Sequence, residues 1–250
     1  MKCAVSDFDR TFYVDSRVSP RNLEAVRAWQ AAGNWFVIAT GRNEASLRQL
    51  LDEYGMKPDA LILNNGAVIL DREWRELFCK PIVKETAMEV LRYLHGLDGD
   101  GSGVSLRHYK VNVLSGAGTT TQKPCSGDLT IDEAGDLEEI VQIHRRRPDE
   151  VYIRELCRDL NARFSDISAY ANVCNADIVA HGVDKSAAVG WLARWAGGFD
   201  EILTIGDSAN DVRMIREYGG ATLKSAALSV QALAMRVVED VAEFLEMGEL

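Results

Sequence analysis

The sequence predicts an α/β fold: a parallel sheet covered by helices on both faces, with an α+β module inserted into it. Three observations predict it. Apolar runs of strand length, "KCAVSD", "WFVIAT" and "ALIL", alternate with helical patterns near the start of the chain. These runs are continuously apolar, as strands buried on both faces require. The alternation stops near Lys80–Pro81 and resumes near His181–Gly182, which bounds a core of 1–80 and 182–250 and an insert of 81–181.

"KCAVSDFD" reads as a short buried strand breaking into a loop at Asp7 and Asp9. Ser19–Pro20 is an N-cap followed by proline at the first helical position. Leu23, Val26 and Gln30 follow at helical spacing, and Gly33 closes that helix. "WFVIAT" is the next strand, ended by Gly41. Leu47, Leu50, Leu51 and Tyr54 recur at i, i+3, i+4 and i+7 and predict an amphipathic helix. "DALILNNGAVIL" is a third strand, a turn at Asn65–Gly66 and a further strand.

The insert begins with a helix over Lys84 to His95 and a glycine-rich break, "GLDGDGSG". Two strands are expected around "VSLRHYKVNVLSG", then a loose stretch, "AGTTTQKPCSGD". A second helix is expected over Ile131 to Arg146, stopped by Pro148, with the run Arg145 to Arg147 favouring its dipole. "EVYIREL", another short helix and "YANVCNADIVAHG" follow. Core logic resumes with a helix marked by Ala188, Leu192 and Trp195 and closed by Gly197–Gly198. The strand "EILTIG" and the loop-to-helix segment "DSANDVRMIREYGG" come next, and the tail from Ser225 reads as helical.

Acidic residues outnumber basic ones, 38 to 28, for a net charge of −10. Such a chain has no general attraction to nucleic acid or anionic membrane, so neither is expected as a partner. The five cysteines, among them Cys3 and Cys125, lack metal-ligand spacing and read as reduced thiols. The four histidines, His144 among them, show no paired spacing and read as structural or exposed. No secretory pattern and no run near the ~20 apolar residues of a membrane span is present, so a cytoplasmic location is expected. "DGDGSG", Asp98 to Gly103, imitates half of an EF-hand loop, but Tyr109 stands where the bidentate glutamate belongs, so it reads as a turn.

Ligands of open parallel sheets bind beyond the carboxyl ends of the strands. Four short pieces fall there in order: "DFDRT" (Asp7 to Thr11), "ATGR" (Ala39 to Arg42), Lys185 in "GVDKSAAV", and "GDSAND" (Gly206 to Asp211). Each has a bland reading alone: a strand-end acidic pair, a strand-ending glycine, a solvated lysine, a capping loop. Together, in this order, the four pieces resemble the haloacid dehalogenase (HAD) superfamily of magnesium-dependent aspartyl-phosphate phosphatases. The turn "LILNNGAVI" and the context "GVDKSAAVGWL" are similar to its Cof-like, sugar-phosphatase-type branch, which inserts a C2-type (type IIB) cap after the third strand. The fold so implied is a Rossmann-like parallel-sheet core domain with an inserted α+β cap domain.

The chemistry of the pieces is coherent. Phosphate monoester hydrolysis needs acceleration of up to ~10²¹-fold, and an oxygen nucleophile divides that barrier through a covalent phospho-enzyme. A carboxylate nucleophile approaching an anionic phosphoryl group needs a divalent cation to offset repulsion. Mg²⁺ usually takes one or two carboxylates with waters and substrate phosphate, and Asp7 and Asp207 lie at two strand ends to supply them. By resemblance, Asp7 is the nucleophile, Asp9 is the general acid and adds its backbone carbonyl to the metal, and Asp211 lies beside the metal. The resemblance also gives Thr40 and Lys185 to the transferring phosphoryl group. Gly41 admits backbone amides, Arg42 joins the substrate-binding set, and Asn210 positions Lys185 or the metal carboxylates. The close pair Asp7 and Asp9 is expected to push one pKa upward, so that one carboxyl holds a proton near neutral pH.

The sequence departs from the branch at Arg10, where glycine is usual, and at Thr222 to Ala226, "TLKSA". Arg107, His108 and Lys110 are cap candidates for substrate contact, set against an ordinary exposed strand edge. The expectation is a Mg²⁺-dependent phosphatase, monomer or homodimer, acting on a small phosphorylated metabolite, with sugar phosphate favoured by analogy. The rivals are a phosphomutase of the same superfamily, a phospho-accepting receiver module and a catalytically silent binding protein.

Overall fold

The structure, a computed structural model, describes residues 1–98, 100–114 and 127–248. In chain order the core begins with β1 (Lys2–Asp7), a small hairpin of β2 (Tyr13–Val14) and β3 (Arg17–Val18), and α1 (Pro20–Ala31). It continues through β4 (Trp35–Ala39), α2 (Glu44–Glu53), β5 (Ala60–Leu63), β6 (Val68–Asp71) and β7 (Glu76–Cys79). The middle of the chain holds α3 (Lys84–Asp98), β8 (Ser102–Leu106), β9 (Lys110–Val113), β10 (Asp128–Leu129), β11 (Ile140–Arg146), α4 (Glu150–Arg163), β12 (Ile167–Asn172) and β13 (Asn175–Ala180). Last come α5 (Lys185–Trp195), β14 (Glu201–Ile205), α6 (Val212–Glu217), β15 (Ala221–Leu223), α7 (Leu228–Gln231), β16 (Arg236–Val238) and α8 (Val241–Gly248).

Two sheets result. The first has the order β16-β15-β14-β1-β4-β5-β6-β7, and the second β10-β9-β8-β11-β13-β12. From β16 to β5 the first sheet is parallel; β6 and β7 extend it as antiparallel strands. This is an α/β fold with a parallel-sheet core. β1 sits between β14 and β4, with Ser6 paired to Ile205 and Asp7 to Ala39, so the first, second and fourth motif segments end on one rim. Among the described residues no helix is long and apolar enough to cross a membrane.

The local signals act as written. Ser19 Oγ accepts from the Asn22 amide at 3.1 Å, and Pro20 opens α1. That helix buries Trp29 completely, with its indole Nε1 donating to Trp35 O at 2.9 Å. Leu47 and Leu51 are the buried stripe of α2. Gly33, Gly197 and Gly198 take the positive φ values that end α1 and α5. Trp195, expected to mark the buried side of α5, is half exposed, while Ala188 and Leu192 are buried.

Three expectations are corrected. The helix expected over Ile131 to Arg146 is a short 3₁₀ turn, Glu133–Asp136, followed by the strand β11. Glu139 breaks the helical run with a φ of 53°, and the β-branched Ile140, Val141 and Ile143 are buried at the centre of the second sheet. Arg145 therefore ends no helix. It is fully buried, and its Nη1 donates to the carbonyls of Asp100 and Gly101 at 2.6 Å each, so the backbone just before β8 seats a guanidinium. Likewise "EVYIREL" opens one 14-residue helix, α4, capped by Asp149. The tail is not continuously helical either, because Arg236–Val238 adds a parallel edge strand beside β15. Most of "AGTTTQKPCSGD", with Cys125, lies outside the described residues.

Candidate active site

Asp7 is the last residue of β1, Lys185 the first of α5, and Asp207 and Asp211 lie in the loop after β14. Gly206 lets that loop fold back on itself: a Cβ there would stand 2.5 Å from Asp211 Cβ. Asp211 Oδ2 accepts from the backbone amides of Asp207 (3.1 Å) and Ser208 (3.0 Å), which fixes the loop. Lys185 Nζ then bridges two chain-distant carboxylates, Asp7 Oδ1 at 2.5 Å and Asp211 Oδ1 at 2.7 Å. An ammonium at a helix N-terminus opposes the helix dipole. With only 1% of Lys185 exposed, its charge is sustained by those two partners.

Burial holds Asp7 well above the usual carboxylate range; Lys185 opposes this, and Asp211 and Asp207 reinforce it. Burial and Asp211 likewise raise Asp207, against Arg10. Burial pulls Lys185 down, but Asp211 and Asp7 outweigh it and raise the ammonium above its ordinary value. Asp7, Asp207 and Asp211 bring ligand oxygens within 4.8 Å of one another, all buried. An all-oxygen set of three carboxylates, met by the two cations Lys185 and Arg10, fits a hard dication such as Mg²⁺.

Of the close pair it is Asp7 that is raised, and Asp211 and Asp207 are the like charges that add to its burial. Arg42 grips both Asp9 oxygens and lies over the rings of Phe8 and Tyr13, 5.5 and 5.8 Å from their centroids. Thr40 is buried beside it, and its Oγ1 accepts from the Arg42 amide at 3.1 Å. Gly41 packs closely on Asn65: a Cβ there would come within 3.1 Å of Asn65 Nδ2. Asn210, expected near Lys185 or the carboxylates, instead donates to Asn65 Oδ1 at 3.0 Å.

Asp7, Asp9, Thr40, Gly41, Arg42 and Asn210 form one wall of a cleft of about 690 Å³. Ser105, His144 and Asp177 of the second sheet form part of the other. Ser105 Oγ lies 2.8 Å from His144 Nε2, and His144 Nδ1 lies 3.1 Å from Asp177 Oδ1. Asp177 Oδ2 accepts from Asn65 Nδ2 at 3.2 Å, so a polar chain runs between the sheets to Asn210. Sequence reasoning missed Ser105, Asp177 and Asn65 and read His144 as structural or exposed. Of these, only Asn65 carried a signal, in its turn motif; its φ of 54° is left-handed. Lys110 lines the cleft. Arg107 instead pairs with Glu76, and His108 with Glu44 at 2.9 Å. Within the Thr222–Ala226 departure, Thr222 Oγ1 donates to Gly206 O at 2.7 Å and steadies the Asp207 loop, whereas exposed Lys224 pairs with Glu239.

A parallel sheet with a buried carboxylate cluster at its carboxyl rim, facing a second sheet across a polar cleft, defines an α/β protein with its site at the strand ends. The haloacid dehalogenase-like hydrolase family (Hydrolase_3) matches residues 4–243, and the chain belongs to it. A Mycoplasma capricolum protein of uncharacterised function is 32% identical over 99 residues; the chain spans 37% of that relative's length, as it does of its own. A Haemophilus influenzae protein provisionally named a phosphatase is 23% identical over 245 residues, 92% of this chain and 88% of that one. Among solved structures, a haloacid dehalogenase-like hydrolase from B. subtilis superposes with a TM-score of 0.86 at 20% identity, covering 98% of this chain and 99% of that one. A sugar phosphatase of HAD subclass IIB superposes with a TM-score of 0.79 at 20% identity, covering 100% and 98%. At such identities the superpositions speak for the fold.

Proposed function

We propose that this chain is a Mg²⁺-dependent phosphatase that hydrolyses a small phosphorylated metabolite, sugar phosphates first among the classes, through an aspartyl-phosphate on Asp7. The observation that carries the reading is the buried Asp7–Lys185–Asp211 bridge, with Asp207 completing the carboxylate cluster. The sugar class rests on the subclass IIB neighbour and on the polar far wall of the cleft. In this reading residues 81–181 form the cap, the protein works in the cytoplasm, and it is a monomer or homodimer.

Asp7 attacks phosphorus through its free oxygen, forming the acyl phosphate bond as the ester P–O bond breaks. Asp9, aimed by Arg42, gives its proton to the leaving oxygen. Thr40 and Lys185 hold the phosphoryl oxygens. Asp9 then takes a proton from the water that cleaves the aspartyl-phosphate, which returns Asp7 and releases inorganic phosphate. Asp7, Asp207 and Asp211, with the Asp9 carbonyl, would hold Mg²⁺, which when bound offsets the negative charge between nucleophile and phosphoryl group.

The test is phosphate release from p-nitrophenyl phosphate and a sugar-phosphate panel, with Mg²⁺ or with EDTA, for the parent and for Asp7→Asn. Mg²⁺-dependent turnover abolished in Asp7→Asn is expected. Equal rates in the two proteins, isomerised sugar phosphate without free phosphate, or a long-lived phospho-Asp7 without turnover would each overturn the reading.

A further inference from the structure

Arg10 follows Asp9 in the loop after β1, and its φ of 65° lies in the left-handed region, where a side chain is disfavoured relative to glycine. The chain nevertheless places a long cation there. Its guanidinium turns inward to the loop after β14: Nη2 lies 3.2 Å from Asp207 Oδ2 and donates to Ser208 Oγ. The other Asp207 oxygen accepts from Thr11 Oγ1 at 3.1 Å. Both oxygens of this carboxylate are therefore engaged, one of them by a positive charge.

The cations at the rim are divided. Lys185 serves Asp7 and Asp211, and Arg10 serves Asp207. The two pairings differ in depth. Lys185 is sealed, with 1% of its side chain exposed, whereas the Arg10 side chain is 52% exposed. An ion pair with one solvated partner is weakly held, so Arg10 can leave Asp207 where Lys185 cannot leave Asp7. Arg10 also lines the cleft that holds Asp7 and Thr40. A guanidinium released from Asp207 thus finds phosphoryl oxygens within the same cleft, and its planar fork suits them.

We propose that Arg10 is a positioning residue that competes with the divalent cation for Asp207 and yields to it when a phosphoryl group enters the cleft. This rests on the phosphatase reading above. Without phosphate, the dication must displace a guanidinium from one of its carboxylates, so it binds more weakly. With phosphate, Arg10 gains another anion and Asp207 is freed. Metal and phosphate then tighten each other's binding by the same factor, as linkage requires.

The experiment measures Mn²⁺ binding to the full chain by the electron paramagnetic resonance of free Mn²⁺, with no substrate present. The parent is compared with Arg10→Gln, Arg10→Gly and Arg10→Lys. Arg10→Gln removes the charge and keeps the backbone burden, Arg10→Gly removes both, and Arg10→Lys keeps the charge. Arg10→Gln and Arg10→Gly are expected to bind Mn²⁺ up to about fivefold more tightly than the parent, on the scale of one half-exposed ion pair. Arg10→Lys stays within a factor of about three of the parent. Added inorganic phosphate tightens Mn²⁺ binding more in the parent than in Arg10→Gln. Equal or weaker Mn²⁺ affinity in Arg10→Gln, or equal phosphate coupling in both, overturns the inference while leaving the metal site standing. Absence of Mn²⁺ binding in all four proteins overturns the metal site and this inference together.

Discussion

Arg42 holds Asp9 as a fork holds a bar: Nη2 lies 2.6 Å from Oδ1 and Nε 2.8 Å from Oδ2. The Asp9 side chain is 45% exposed, so packing does little to aim it and the guanidinium does most of it. If Asp9 moves protons, Arg42→Ala should lower kcat by about 10²-fold with a smaller change in KM, the scale of a displaced acid–base group. Arg42→Lys keeps the charge but loses the fork and should recover only part of that loss. Steady-state rates on p-nitrophenyl phosphate decide; a parental kcat in Arg42→Ala means that Asp9 is aimed by something else.

Lys185 is the counterion of two buried carboxylates, Asp7 and Asp211, that repel each other and Asp207. Removing one partner of a buried pair strands the other, typically at 3–5 kcal/mol. Lys185→Met should therefore destabilise the metal-free protein by about 3 kcal/mol. Asp7→Asn in the same chain should restore part of this by removing one of the stranded charges. Urea unfolding in EDTA measures both; if the double variant is no more stable than Lys185→Met, the bridge is not what the lysine stabilises.

His144 supplies a pH test. Burial lowers its pKa below the ordinary histidine value, and Asp177 only partly opposes this. The folded protein therefore favours the neutral ring, while the unfolded chain protonates near 6.5. Protons bind the unfolded state preferentially as pH falls through that value, so stability drops on the acid side by up to ~1.4 kcal/mol per pH unit. His144→Gln should be less stable at pH 8, because Ser105 and Asp177 lose a partner, yet show a flatter profile from pH 7 to 5.5. Unfolding midpoints across that range check it; parallel profiles would mean that folding leaves the ring's pKa unchanged, and a steeper acid loss in the variant that the ring is charged in the fold.

The core and its rim were legible because periodicity, caps and strand-end motifs are local. Asp7, Thr40, Gly41, Asp207 and Asp211 each stand beside a short apolar run that announces a strand, and Lys185 stands beside a helical pattern. The second sheet was harder to read. Ile140 to Arg146 follows a run that also suits a helix, and only its place between β8 and β13 settles it as a strand. The partner of Asp9 was hidden for a related reason. Two residues of separation suggest repulsion from Asp7, whereas the partner that matters is Arg42, 33 positions away. Ser105, His144 and Asp177 meet only because β8, β11 and β13 are neighbours in the sheet. A single sequence holds no record of that pairing.

Gly66 offers a test of how rigidly the core presents Lys185. Its φ is 105°, and a Cβ there would stand 2.4 Å from the backbone oxygen of Asp184, 2.8 Å from its carbonyl carbon and 3.1 Å from Ala188 Cβ. Asp184 caps α5 by accepting from the Ala187 amide at 2.8 Å, and Lys185 is the next residue. A methyl group at position 66 must push the start of that helix outward, taking the ammonium with it. Gly33 is the control: it is also left-handed, with a φ of 83°, but has nothing within 4 Å of its Cβ position. Gly33→Ala should cost only the conformational penalty of about 1–2 kcal/mol. Gly66→Ala adds overpacking of typically 1–3 kcal/mol and should lower turnover as well. Urea unfolding and p-nitrophenyl phosphate rates measure the two terms separately. Equal unfolding losses in the two variants, with turnover intact in Gly66→Ala, would show that the turn after β5 yields and that Lys185 is held by its carboxylates alone.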